Sequence, residues 1–143
     1  MARAIKNEWC LILLLLARVT VKGEPDTEPS VIVYRCNDEI DEQLLFNSIK
    51  MIMEKLSKKL RININEALLV YLNYLVEACR YDDKNIDELT NSTSDILTAD
   101  QVLFGVAESL RVIEYDLLME NMSRKQITLI EPIPTTAYIF PSQ

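Results

Sequence analysis

"DILTADQVLFGV", residues 95–106, decides how the second half of this chain is read. It contains Gly105, one of only two glycines among 143 residues. A left-handed turn without a Cβ penalty is therefore available almost nowhere else. Thr98 is followed three residues later by Gln101, the spacing of a T-x-x-Q capping box. The pattern predicts a short helical turn that starts at Ala99 and stops at Gly105 as a left-handed C-cap. Beyond it the period changes to two. In "RVIEYDLLME" (111–120), Ile113, Tyr115, Leu117 and Met119 fall on one face and alternate with Glu114 and Asp116. "NMSR" (121–124) is a turn, and "KQITLIE" (125–131) alternates again through Ile127 and Leu129. Two such runs joined by a short polar loop predict an antiparallel hairpin, ended by Pro132 and Pro134. A lone hairpin is marginal in water, so this one must lie on helices or on another chain.

Upstream the pattern is helical. Leu45, Ile49, Ile52, Leu56 and Leu60 recur at steps of three and four, with Glu42, Lys50, Glu54 and Lys58 on the other side. This predicts one long amphipathic helix from about Asp38 to near Arg61. Asn63 with Glu66 three residues on has capping-box spacing and opens a second helix. Its body, "EALLVYLNYLVEACR" (66–80), is apolar on nearly all faces, as in the centre of a bundle. "YDDKN" (81–85) is a polar loop and "IDELTNST" (86–93) a third, short helix. "VIVYRC" (31–36) is a short β-type run without an evident neighbour. The expected class is α+β: a small helical bundle of about three main helices and a short capped turn, followed by a C-terminal antiparallel β-hairpin. The expected divisions are an N-terminal extension (1–36), the main domain (37–134) and a tail (135–143). In the tail, Tyr138, Ile139 and Phe140 have no evident place inside this layout and are candidates for an intersubunit contact.

Residues 1–30 have a basic start, an apolar run from Trp9 to Ala17, and then a Gly/Pro/acidic stretch. The run is far short of the roughly 20 residues of a spanning helix. It has the size of a secretory h-region, with Val21-Lys22-Gly23 where cleavage would fall, although Glu8 and Arg18 flank it. A packed or docking extension is the other reading, and both stay open here. The localisation expected is cytoplasmic, or secreted if 1–23 are removed. The sequons at Asn91 and Asn121 would matter only in the second case.

The formal charge of −7 opposes a phosphate backbone, so nucleic acid is excluded as a partner. There is no histidine, which removes the commonest general base and metal ligand together. Cys10, Cys36 and Cys79 are odd in number and far apart, with no CxxC spacing and no disulfide framework. Cys79 lies in an apolar helix pattern and reads as a small core residue. Asp82-Asp83 or Glu88 could form a carboxylate pair, but without a positioned base they read as a solvated loop. No catalytic, metal or cofactor residue is assigned.

In this order of elements the chain resembles the urease gamma subunit over roughly residues 39–134. The residues that carry the resemblance are Asn63 with Glu66-Ala67, then Glu77 and Arg80, then Asp87-Glu88-Leu89. They continue through Ile96-Leu97-Thr98, Asp100, Val102, Gly105-Val106, Glu108, Ile113, Thr128 and Pro132-Ile133. The pattern is broken at Ala78, where a glycine is usual, and at Phe104, where a proline is usual. It is broken again at Asn121-Met122-Ser123 in the turn and at Ile130, where a histidine is usual. The resemblance implies a non-catalytic structural subunit of a nickel-dependent urease complex, which hydrolyses urea to ammonia and carbamate. It implies beta- and alpha-like partner subunits in a trimer of heterotrimers, with nickel and chemistry in the alpha subunit and no cofactor in this chain. Glu77, Arg80, Asp100, Gly105 and Glu108 are the candidate subunit contacts. The alternative is a repurposed gamma-like interaction module, secreted in one version, without urease activity.

Overall fold

The computed structural model describes residues 14–23, 28–36, 38–81, 93–120 and 122–134, with only the backbone described at 79–81. Its elements run β1 (Leu14–Lys22), β2 (Ser30–Arg35), α1 (Glu39–Ser57), α2 (Ile64–Tyr81), 3₁₀ turns at Thr93–Asp95 and Ala99–Gln101, α3 (Val106–Ser109), β3 (Val112–Met119) and β4 (Arg124–Ile130). The fold is α+β, with the two main helices packed against an antiparallel sheet. The third helix expected over 86–93 lies, Thr93 apart, outside the described residues, as does the tail 135–143.

The hairpin forms as its alternation predicts. β3 and β4 pair from Val112↔Ile130 to Leu118↔Arg124, and Ile113, Tyr115, Leu117, Met119, Ile127 and Leu129 are all buried. The turn uses Met122 at φ 69°, a side chain doing what glycine does more cheaply.

The sheet is wider than the hairpin. Its strand order is β2-β1-β3-β4, so the segment read as an extension supplies an inner strand and an edge. β1 pairs with β3 from Lys22↔Val112 to Leu14↔Met119 and with β2 from Val21↔Ser30 to Leu16↔Arg35. Leu14, Ala17 and Val19 are fully buried. The isolated β-type run at 31–36 therefore has its neighbour in β1. Gly23 ends β1 where the backbone passes Ser109: a Cβ there would stand 3.1 Å from the Ser109 carbonyl oxygen.

α1 starts at Asp38, whose side chain accepts from the Asp41 N–H at 2.9 Å. It stops at Ser57 rather than near Arg61. Lys59 takes φ 61°, and the Leu60 N–H donates to the Lys55 carbonyl while the Lys59 N–H donates to Leu56. This is a Schellman closure without glycine. Leu60, expected on the buried stripe, consequently lies beyond the helix and is exposed. Glu42, expected on the solvated side, is buried.

α2 opens on the reciprocal box that the sequence predicts. The Glu66 N–H donates to Asn63 Oδ1 at 2.9 Å, and the Asn63 N–H donates to Glu66 Oε1 at 2.9 Å. Glu66 also receives the Lys55 ammonium at 2.7 Å, tying α2 to α1. Partial burial pushes the Glu66 carboxyl up, but the Lys55 and Asn63 bonds outweigh it and hold it below its usual range. The stabilisation is full above the ordinary carboxyl range and is lost as pH falls through the lowered value. Glu66→Gln, which keeps the cap acceptor and loses the ion pair, is expected to cost under about 1 kcal/mol. Glu66→Ala loses both and should cost about 1–2 kcal/mol in urea melts.

The interior of α2 is buried on most sides: Ala67, Leu68, Val70, Tyr71, Leu72, Leu75, Val76 and Ala78. The Tyr115 hydroxyl of β3 donates to the Leu68 carbonyl at 2.7 Å, bolting the sheet to this helix. Among the described residues, no helix is long and apolar enough to cross a membrane.

Candidate functional site

Three of the five candidate contacts fall in one short stretch, and the structure corrects how that stretch folds. The Thr98 capping box is present, with the Thr98 N–H donating to Gln101 Oε1 at 2.9 Å. The turn ends at Gln101, four residues before Gly105. Val102 is extended at φ −118°, ψ 157° because it pairs in parallel with Ile62. The Ile62 N–H donates to Gln101 and the Leu103 N–H to Ile62, at 3.0 and 2.9 Å. That pair of bonds to the α1–α2 connection replaces helical continuation. Gly105 is left-handed as expected, at φ 90°, ψ −13°, but it precedes α3 instead of ending a helix. The Val106 N–H donates to Leu103 at 3.1 Å, closing a turn with glycine in third position, the type II requirement.

Nothing lies within 4 Å of a Cβ built on Gly105, so a substitution there meets backbone strain alone. Gly105→Ala is expected to cost about 1–2 kcal/mol, and Gly105→Asn less, by thermal melting. Equal stability of all three would contradict the positive φ.

Asp100 is exposed at the start of the 3₁₀ turn. The Thr98 hydroxyl donates to its carboxylate; this bond, its own N–H and the more distant Arg61 charge hold the Asp100 carboxyl below its usual range. It is a fixed negative charge at neutral pH. Glu108 is half-buried on α3. It borders a cleft of about 460 Å³ between the β1–β2 strands and the start of α2, lined also by Val21, Glu28, Ile32, Ile64 and Leu68. Its Oε1 is out of solvent without a hydrogen-bond partner among the described residues. The Ser109 hydroxyl donates to the Gly105 carbonyl at 2.9 Å, stiffening the turn.

Glu77 is exposed near the end of α2. The Arg80 side chain lies outside the described residues, as do Asp87-Glu88-Leu89 and the Asp82-Asp83 pair. A residue that sequence reasoning treated only as a departure stands out here. Phe104, at the second position of the rigid turn, is 91% exposed, beside the exposed Leu103. An aromatic presented this way is the residue type that anchors interfaces.

The chemistry available is poor in reactive groups. The Cys36 thiol is buried and pushed up to about 12, by burial first and then by the Glu42 and Asp41 charges. It stays protonated and is no nucleophile at neutral pH. The described residues hold no group of three or more His, Cys, Asp or Glu able to grip a metal, and the whole chain lacks histidine.

The family model described as "Urease, gamma subunit" matches residues 35–133. The chain is also similar to the urease subunit gamma of Saccharopolyspora erythraea, with 30% identity over 95 residues, which cover 66% of this chain and 93% of that one. The match takes in the capped second helix, the Asp100–Glu108 stretch and the hairpin. By its sequence, this chain belongs to the urease gamma-subunit family.

Proposed function

We propose that this chain is a non-catalytic structural subunit of a nickel-dependent urease, assembled with beta- and alpha-like subunits as a trimer of heterotrimers. The alpha-like partner carries the nickel and hydrolyses urea. The observation that carries the reading is the family match across the helices and the hairpin. The absence of histidine from the chain accords with chemistry placed in another subunit. The metal would supply a bound hydroxide in that partner, while this chain contributes packing surface and fixed charge.

Within this reading, Asp100, Gly105 and Glu108 are contacts from one stretch of the chain, and Glu77 with Arg80 are contacts from the end of α2. A charge-assisted bond across an interface is worth about 1.5–3 kcal/mol, roughly a tenfold or greater change in affinity. Co-expression with the host's beta- and alpha-like subunits tests the first group. Asp100→Lys is expected to lower partner recovery at least about tenfold while leaving the chain's own melting temperature nearly unchanged. Undiminished recovery would remove Asp100 from the interface.

A further inference from the structure

We propose that residues 14–35 are a retained, built-in strand pair that seals, within this chain, a sheet edge that the shorter urease gamma chains leave open within their own fold. The inference rests on family membership and not on the presence of partner subunits. The family match begins at Arg35, the last residue of β2. The Saccharopolyspora relative has 93% of its length inside its match. What remains of that chain is shorter than β1 and β2 together, so it lacks the length to form both strands outside its match.

In this chain the added strands are structural. β1 stands between β2 and β3, with Leu14, Ala17 and Val19 fully buried. Val19 lies opposite Tyr115, and Ala17 opposite Leu117. At its end, Gly23 passes so close to Ser109 that a methyl group would crowd the carbonyl. Without β1, β3 would present a row of unpaired N–H and C=O groups beside an apolar face, and β2 would lose the strand it pairs with. Such an edge is where another chain adds a strand.

Two consequences follow for this protein. A neighbouring subunit docks on it without adding a strand to β3, because β1 fills that place. The apolar run 9–17 also leads into an inner strand, so cleavage after Gly23 would pull that strand out of the sheet. The chain is therefore not processed there.

The test uses the full chain with a protease site inserted between Asp26 and Thr27, in the β1–β2 connection. After nicking, the N-terminal piece should co-elute with the remainder in gel filtration and separate only in denaturant. The remainder refolded together with a synthetic peptide of residues 9–26 should regain the original melting temperature, and refolded without it should melt lower or stay unfolded. The uncut chain should take up none of that peptide, labelled with a fluorophore. A piece that washes away natively, leaving a monomeric remainder with unchanged melting, overturns the proposal. N-terminal sequencing of the protein from its own cells gives a separate reading: a start upstream of Leu14 supports retention, and a start at Glu24 or anywhere past Leu14 overturns it.

Discussion

Val19→Asp is expected to cost about 3–5 kcal/mol of stability, whereas Arg18→Gln, one residue away, should change it by less than about 0.5 kcal/mol. Val19 is fully buried between Ile32 and Tyr115 in the strand registers. Arg18 is exposed on the opposite face, between Val33 and Asp116. An uncompensated charge at position 19 takes away a large part of the stability of a small domain, about 5–15 kcal/mol. Circular dichroism with urea titration reads both variants. Equal effects at 18 and 19 would mean that this segment does not alternate against β3.

Tyr115→Ala should be the costliest single truncation in the hairpin, at about 3–5 kcal/mol. The ring is 1% exposed, and its hydroxyl crosses from the sheet to the Leu68 carbonyl of α2. Burial first, then the neighbouring Tyr34 and Tyr71, hold the hydroxyl protonated well above its ordinary range. Tyr115→Phe keeps the ring and loses only the bond, costing about 1 kcal/mol. Tyr71 supplies the opposite sign. Its hydroxyl is equally buried but has no hydrogen-bond partner among the described residues, and burial raises its pKa as well. Tyr71→Phe removes a desolvated, unpaired group and should leave stability unchanged or raise it by about 1 kcal/mol. Destabilisation of similar size in both phenylalanine variants would show that the two hydroxyls are bonded alike.

Much of the fold was legible because local signals agreed with the tertiary result. Asn63 and Glu66 announce the second helix and make the bonds their spacing implies. Ile113 to Met119 and Ile127 with Leu129 alternate and are buried. β1 was obscured because its alternation, Ala17-Arg18-Val19-Thr20-Val21-Lys22, is preceded by an unbroken apolar run that has no period. Its partner β2 could not be placed without it. The end of α1 was misplaced because a lysine adopts the left-handed conformation that sequence reading reserves for glycine. Gly105 was recognised as left-handed, but its position ahead of α3 depends on the Ile62–Val102 pairing, which links residues distant in sequence. The candidate contacts rest on the family pattern alone. The exposure of Phe104 came from the structure, since only the rigid turn turns that side chain outward.

The central claim, that this gamma-family chain is a structural urease subunit, is tested most directly by affinity isolation of the tagged full chain from its native host. Partners are identified by mass spectrometry and the eluate is assayed for urea hydrolysis. Beta- and alpha-like subunits should co-purify, together with urease activity that the chain alone does not show. A clean isolation that recovers neither subunit and no urea hydrolysis would contradict the account and leave a gamma-like interaction module serving another assembly.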